Sequence, residues 1–350
     1  MCFLMFCRPA AAQCVVRPAN HSPRRSNMKL QKEVQLADVS DVARARIALS
    51  LPVLKGVLFA LQHARVERLG GYAKITLTDL AREYREGSGD CGICFEYAVH
   101  DSLQSKDKNV HALLSNVLND FCGIKTGAES ILFGAEKSGG ISLIETSQSL
   151  IDGNSRILSG KIGQPAKLQK QWNTIQKALR DTKARDRLPT SIKGLWKADL
   201  FLGSSPEGRW VGTTLKLNKT DFQGAAGLRL GIYPETRKGE GPRKDEENNL
   251  ILCPLPYDAN FMEAFYSSFF AVKQFLLADA KLPKPVALPS SADRFLAQQF
   301  EDRRDFPVLD VIEAMYPLGQ HDLTGESVVG SASNDSSAPM DAVAPVAKQA

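Results

Sequence analysis

Two strand-like runs hold the residue types best able to do chemistry. Lys216 lies in Arg209-Trp-Val-Gly-Thr-Thr-Leu-Lys-Leu-Asn218, and Asp199 lies in Leu195-Trp-Lys-Ala-Asp-Leu-Phe-Leu202. Side chains alternate across a strand. In the second run Trp210, Gly212, Thr214, Lys216 and Asn218 therefore share one face, opposite Val211, Thr213, Leu215 and Leu217. In the first run Leu195, Lys197, Asp199 and Phe201 share a face. Pairing of the two through the loop 203–208 would bring Asp199 and Lys216 together. A carboxylate can hold a divalent cation that polarises a phosphate and lowers the pKa of a bound water, and a lysine can orient or activate that water. The same pair is also compatible with the ordinary polar face of a hairpin. Thr214 is a neutral hydroxyl where a second carboxylate would strengthen a metal cage.

A further acid has to come from elsewhere. Glu96 sits in a helical stretch, 91–105, on the side of Ile93, Val99, His100 and Leu103. A carboxylate on an apolar helical face is costly unless it is paired, binds a metal or reaches solvent, so a salt-bridged or snorkelling Glu96 stands beside the functional reading. His100 reads as a hydrogen-bonded core histidine.

The elements that would position these residues follow from periodicity and caps. Helices are expected from Ser40 to Leu69 with a kink or split at Pro52, over 79–86 behind Thr76, over 91–105 behind Asp90, and over 109–121. Strands are expected at 141–146, 194–203, 209–218, 227–233 and 249–254, and helices again at 257–278, 290–303 and 307–316. Residues 165–185 read as an amphipathic helix with Leu168, Trp172, Ile175 and Leu179 as the apolar stripe. Its other face carries Lys167, Lys170, Lys177, Arg180, Lys183 and Arg185, either as a solvated surface or as contacts to nucleic-acid phosphates.

The order of a helix with Glu96, a strand with Asp199, a strand with Thr214-Leu-Lys216, a segment with Gln223 and a further strand at 227–233 resembles the PD-(D/E)xK nuclease superfamily. The resemblance covers roughly residues 90–255. It implies an α/β (α+β), restriction-endonuclease-like fold: a central mixed sheet flanked by helices, with additional helices at both ends. It also implies that Glu96, Asp199 and the Leu215 carbonyl hold Mg²⁺ or Mn²⁺, that Lys216 acts at the nucleophile, and that Thr214 stands in the catalytic set. The chain departs from the pattern in three places. Thr214 replaces the usual acid, Ala198 rather than Pro precedes Asp199, and about a hundred residues separate Glu96 from Asp199. The function implied is a metal-dependent DNA endonuclease of restriction or phage-defence type, a deoxyribonuclease working on DNA as a homodimer or with a defence partner. The alternative is a catalytically inactive nuclease-fold module that binds DNA or protein in a defence or repair complex.

Composition bounds these readings. The net charge of +5 is uneven: residues 1–27 hold four Arg and no acid, and residues 325–350 hold three acids and one Lys. That leaves about +3 for the chain between, so any nucleic-acid footprint would have to be local. Seven Cys, three of them in the first 14 residues, do not form a disulfide framework and point to a reducing cytoplasm. Cys91-Gly-Ile-Cys94 lacks a second ligand pair for zinc and reads as buried helix cysteines. No apolar run approaches the ~18 residues a membrane-spanning helix needs. Residues 1–27 read as a disordered or mis-assigned leader, with Met28 a candidate start. Helical parts are expected over 28–125 and 256–323 around a core at 126–255, with a disordered tail at 324–350. Phosphate-binding GxxxxGK[ST], GxGxxG after a strand, and GxSxG are all absent.

Overall fold

The computed structural model describes residue 30 and residues 39–86, 90–132, 155–158, 166–167, 183, 198–224, 227–256 and 261–319. Helix α1 (Asp41–Ala60) starts where the Ser40 hydroxyl accepts the Ala43 amide at 3.3 Å. The split expected at Pro52 falls instead at Leu61–Gln62, after which α2 (His63–Arg68) begins. A proline inside a helix costs about 3 kcal/mol. Here it lies in a stretch, Ile47 to Leu54, that is buried throughout, and apolar burial offsets that cost. Helix α3 (Leu77–Glu83) opens on a reciprocal cap between Thr76 and Asp79. Then come α4 (Asp90–Gln104) and α5 (Lys108–Cys122), the latter capped by the Asp107 carboxylate and closed by Gly123 at φ 64°.

The C-terminal helices α6 (Phe261–Leu277), α7 (Ser291–Glu301) and α8 (Val308–Met315) return to pack on α1. Backbone bonds Thr78 N to Arg304 O at 3.0 Å and Val308 N to Ile75 O at 2.8 Å stitch the two helical parts together. Arg46 faces Asp293 at 3.2 Å between α1 and α7. Burial raises the Asp293 carboxyl above its ordinary value, and Arg46 opposes that. One apolar core joins both helical parts to one face of the sheet.

The sheet is mixed, so the chain is an α/β protein with helices flanking a mixed sheet. Its strands are β1 (Glu129–Leu132), β2 (Arg156–Leu158), β3 (Ala166–Lys167), β4 (Leu200–Ser204), β5 (Arg209–Leu215), β6 (Arg229–Pro234), β7 (Arg243–Asp245) and β8 (Leu250–Leu255). The main path is β1-β4-β5-β6-β8-β7: antiparallel from β1 to β5, parallel from β5 through β6 to β8, and antiparallel again at β7. The central β6 and β8 are buried at every position, as parallel strands covered on both faces are.

One edge of β5 is divided. Strand β2 pairs parallel with Arg209–Val211, and β6 takes over from Gly212 to Leu215. Strand β3 completes this corner by pairing Lys167 with Arg156, because an unpaired strand edge leaves backbone groups unmet. The helix expected over 165–185 is therefore strand at its start. Lys183 is exposed, and Lys170, Lys177, Arg180 and Arg185 lie outside the described residues, as do 141–146 and 324–350. Among the described residues no helix is long and apolar enough to cross a membrane.

The β4–β5 hairpin sets the register that matters for Asp199 and Lys216. Gly208 turns at φ 60°, and a Cβ on Gly203 would lie 2.1 Å from the Arg209 carbonyl oxygen. The tip is tied down at both sides. Glu207 accepts the amides of Lys125 and Thr126 at 2.6 and 2.7 Å, which holds its carboxyl below the ordinary value. Arg209 donates to the Cys122 and Gly123 carbonyls at the end of α5, both at 2.7 Å.

Candidate functional site

At the far end of this hairpin the ladder is interrupted. Leu200 pairs with Thr213, yet the Asp199 amide also donates to the Thr213 carbonyl at 2.8 Å, so two residues oppose one, as in a β-bulge. The Asp199 side chain then takes over from backbone: its Oδ2 accepts the Leu215 amide at 2.9 Å. Strand β5 ends at Leu215 rather than at Asn218. Lys216 follows with its amide bonded to the Ile232 carbonyl at 3.0 Å and its Nζ 3.8 Å from Asp199 Oδ2. The Asp199 side chain is 12% exposed and that of Lys216 36%, so the lysine is the open side of the pair.

Thr214 points to the same face as Gly212, whose partner on β6 is Arg229. The Arg229 guanidinium donates to the Thr214 hydroxyl at 3.3 Å. Arg229 is buried at 6% exposure. Burial pulls its pKa below the ordinary arginine value, and the charge of Asp199 opposes that shift. The neutral Thr214 hydroxyl is thus engaged by a largely buried cation. Phe222 packs over β6 beside it, where a Cβ on Gly231 would meet the ring at 2.9 Å.

Glu96 sits elsewhere. Helix α4 meets β1 through His100, whose Nδ1 shares a hydrogen bond with the Ser130 hydroxyl, and through Gln104, which donates to the Ser130 carbonyl at 3.0 Å. Ser130 pairs with Leu202 and Leu202 with Val211, so α4 covers the face of Val211, Thr213 and Leu215. Thr214 and Arg229 belong to the opposite face. Glu96, one helical turn before His100, is partly buried on that α4 layer. Burial drops the His100 pKa to about 4. Cys94 is buried with its Sγ 3.4 Å from the Val53 carbonyl oxygen, and Cys91, one turn earlier, is partly buried. Among the described residues, no group of three or more His, Cys, Asp or Glu side chains could hold a metal ion.

The structure therefore brings Asp199, Thr214, Leu215 and Lys216 together and adds Arg229, while Glu96 lies on a helix across the sheet from Thr214. A signal for Arg229 was present in the sequence. It interrupts the strand-like run Leu228 to Ile232, and a charge inside such a run is costly unless paired, the same criterion that singled out Glu96. Comparison with protein-family models, curated proteins and solved structures finds no match to this chain. Chemically, a carboxylate 3.8 Å from a lysine, with an arginine bonded to the neighbouring threonine, makes an end of the sheet richer in positive than in negative charge. It offers a divalent cation one carboxylate against two positive neighbours.

Proposed function

We propose that this chain engages the phosphodiester backbone of DNA at the Asp199–Lys216 end of its sheet, as a restriction-endonuclease-like module that binds without a metal-dependent cleavage step. The observation that carries this reading is the charge balance: Lys216 lies 3.8 Å from Asp199, Arg229 donates to Thr214 on the neighbouring strand, and Thr214 is neutral. Mg²⁺ is bound through carboxylates and phosphate oxygens, whereas a backbone phosphate is suited to a lysine and an arginine. A labelled duplex followed by fluorescence anisotropy tests it. Binding is expected in EDTA, is unchanged by Mg²⁺, weakens with salt as counterion release requires, and falls on Lys216→Ala. A wild-type protein that does not bind DNA in EDTA overturns the reading.

A second reading, a metal-dependent DNA endonuclease of restriction or phage-defence type, is favoured by one distance. Lys216 Nζ stands 3.8 Å from Asp199 Oδ2, the pair the nuclease resemblance implies. Asp199 and the Leu215 carbonyl would then hold Mg²⁺ or Mn²⁺ without the Glu96 ligand the resemblance implies, because α4 covers the other face of the sheet. Plasmid cleavage that needs Mg²⁺ or Mn²⁺ and disappears in Lys216→Ala would select this reading over the first.

A further inference from the structure

Arg229 is a largely buried residue, yet none of its guanidinium nitrogens is among the described buried atoms without a partner, so its spare donors reach solvent. A guanidinium carries five N–H donors in a planar fork, and among the described residues its side chain makes one hydrogen bond, the long contact to Thr214 at 3.3 Å. Its residue is 6% exposed. A charge taken out of water is retained only where a partner repays desolvation. Asp199 repays part of it, but that carboxylate is shared with Lys216 and the Leu215 amide. Spare donors of Arg229, the Thr214 hydroxyl and the more exposed Lys216 amine therefore gather at one end of the sheet. Arginine's fork matches a phosphate bidentately, while lysine acts as a point charge.

We infer that Arg229, Thr214 and Lys216 form the seat for one backbone phosphate of DNA, with Asp199 as the anion that holds Lys216 when DNA is absent. Arg229 supplies the fork, Lys216 meets the phosphate from the solvent side, and Asp199 competes with the phosphate for Lys216. This inference rests on the metal-free binding reading above. It also makes a prediction of opposite sign to the metal reading. Asp199→Asn keeps an acceptor for the Leu215 amide and removes the competing charge, so DNA binding tightens. If Asp199 held Mg²⁺ instead, the same change would weaken binding measured in Mg²⁺, so the affinity is read in Mg²⁺ as well as in EDTA.

The experiment measures affinity for a labelled duplex in EDTA and in Mg²⁺, with inorganic phosphate as competitor, for wild type, Asp199→Asn, Arg229→Gln, Arg229→Lys and Thr214→Val. Circular dichroism and thermal melts confirm that each variant is folded. Asp199→Asn is expected to bind several-fold tighter, and Arg229→Gln roughly tenfold weaker with a salt slope shallower by about one ion. Arg229→Lys falls between wild type and Gln, and Thr214→Val weakens binding slightly. Millimolar phosphate displaces DNA less readily from the Arg229 variants. Folded Arg229 variants with wild-type affinity and slope overturn the phosphate seat while leaving DNA binding by the chain intact. Weaker or unchanged binding in Asp199→Asn also overturns it, and needs no Arg229 variant to fold. A wild type that fails to bind in EDTA overturns both this inference and the reading beneath it.

Discussion

The Asp199 carboxylate accepts the Leu215 amide at 2.9 Å, so a side chain replaces strand backbone at the end of the β4–β5 ladder. Asp199 is buried at 8% exposure, which makes the bond structural whatever else the carboxylate does. Asp199→Ala leaves the Leu215 amide without its acceptor and removes the charge near Lys216 and Arg229, so it is expected to cost more than Asp199→Asn, which keeps the acceptor, loses only the charge and costs about 1–3 kcal/mol. Lys216→Met, at a half-exposed 3.8 Å pair, is expected to change stability by less than about 1 kcal/mol. Urea denaturation at neutral pH orders the three. Equal midpoints for Asp199→Ala and wild type would show that the bond contributes nothing.

Much of this arrangement is legible in the sequence. The alternation in 209–218 and 194–203 places β5 and β4 and the link between Asp199 and Lys216, and capping residues Ser40 and Thr76 locate helix starts. The rest depends on tertiary structure. Strands β1, β2 and β7 are short and draw their definition from neighbours: Glu129–Leu132 becomes a strand by pairing with β4, and Arg243–Asp245 by pairing with β8. Ala166–Lys167 carries the start of a helical pattern, but the edge of β2 recruits it. The layer to which Glu96 belongs cannot be read from helical periodicity, because periodicity says which side is buried and not which face of the sheet receives it. The partner of Arg229 is fixed only by the folded sheet, which buries the residue and sets its guanidinium beside Thr214.

His100 gives the fold an acid-sensitive element. Burial holds its pKa at about 4, against about 6.5 for an unperturbed histidine. The unfolded chain binds this proton as pH falls through about 6.5, and the folded chain does so only near 4. Between those values the unfolded state holds more protons, so stability contributed by neutral His100 is full above 6.5 and is lost as pH drops toward 4. The loss is on the order of 3 kcal/mol for this residue. Chemical denaturation at intervals from pH 7 to 4 measures it: the slope of stability against pH is expected to be shallower in His100→Gln than in wild type. Parallel slopes would show that His100 takes up its proton equally in both states.

Two buried thiols should be silent in the native protein. Burial pushes Cys122 and Cys253 up to about 12, so the reactive thiolate is scarce at ordinary pH. Cys91 is partly buried on α4 and is more open than either. With iodoacetamide at pH 8, peptides carrying Cys122 and Cys253 are expected to stay unmodified over a period in which urea-unfolded protein is fully alkylated. Mass spectrometry of the digests reads this site by site. Alkylation of Cys253 at the unfolded rate without denaturant would mean that the β6–β8 layer opens freely.

Glu240 closes the other end of β6. Its Oε1 accepts Lys219 Nζ at 2.6 Å, the Tyr233 hydroxyl at 2.8 Å and Arg243 at 2.9 Å, and its Oε2 accepts Thr236 at 3.0 Å. Lys219 also lies 5.5 Å from the Tyr233 ring centre, within cation–π range. The lysine and arginine hold the Glu240 carboxyl well below its ordinary value, and burial together with the carboxylate's negative charge raises the Tyr233 hydroxyl. A depressed carboxyl contributes stability that is full above the unfolded glutamate value near 4.3 and is lost as pH falls below it. Acid therefore removes first the His100 contribution and then this one. At neutral pH Glu240→Gln is expected to cost about 1.5–3 kcal/mol, because its bonds to Lys219 and Arg243 lose their charge, and Tyr233→Phe about 1 kcal/mol. The two residues share a bond, so the double variant should cost less than the sum of the singles by about 0.5 kcal/mol or more. Urea denaturation of the four proteins closes the cycle. Strict additivity would mean that Tyr233 and Glu240 are neighbours without being coupled, and that loop 235–243 is held by its cations alone.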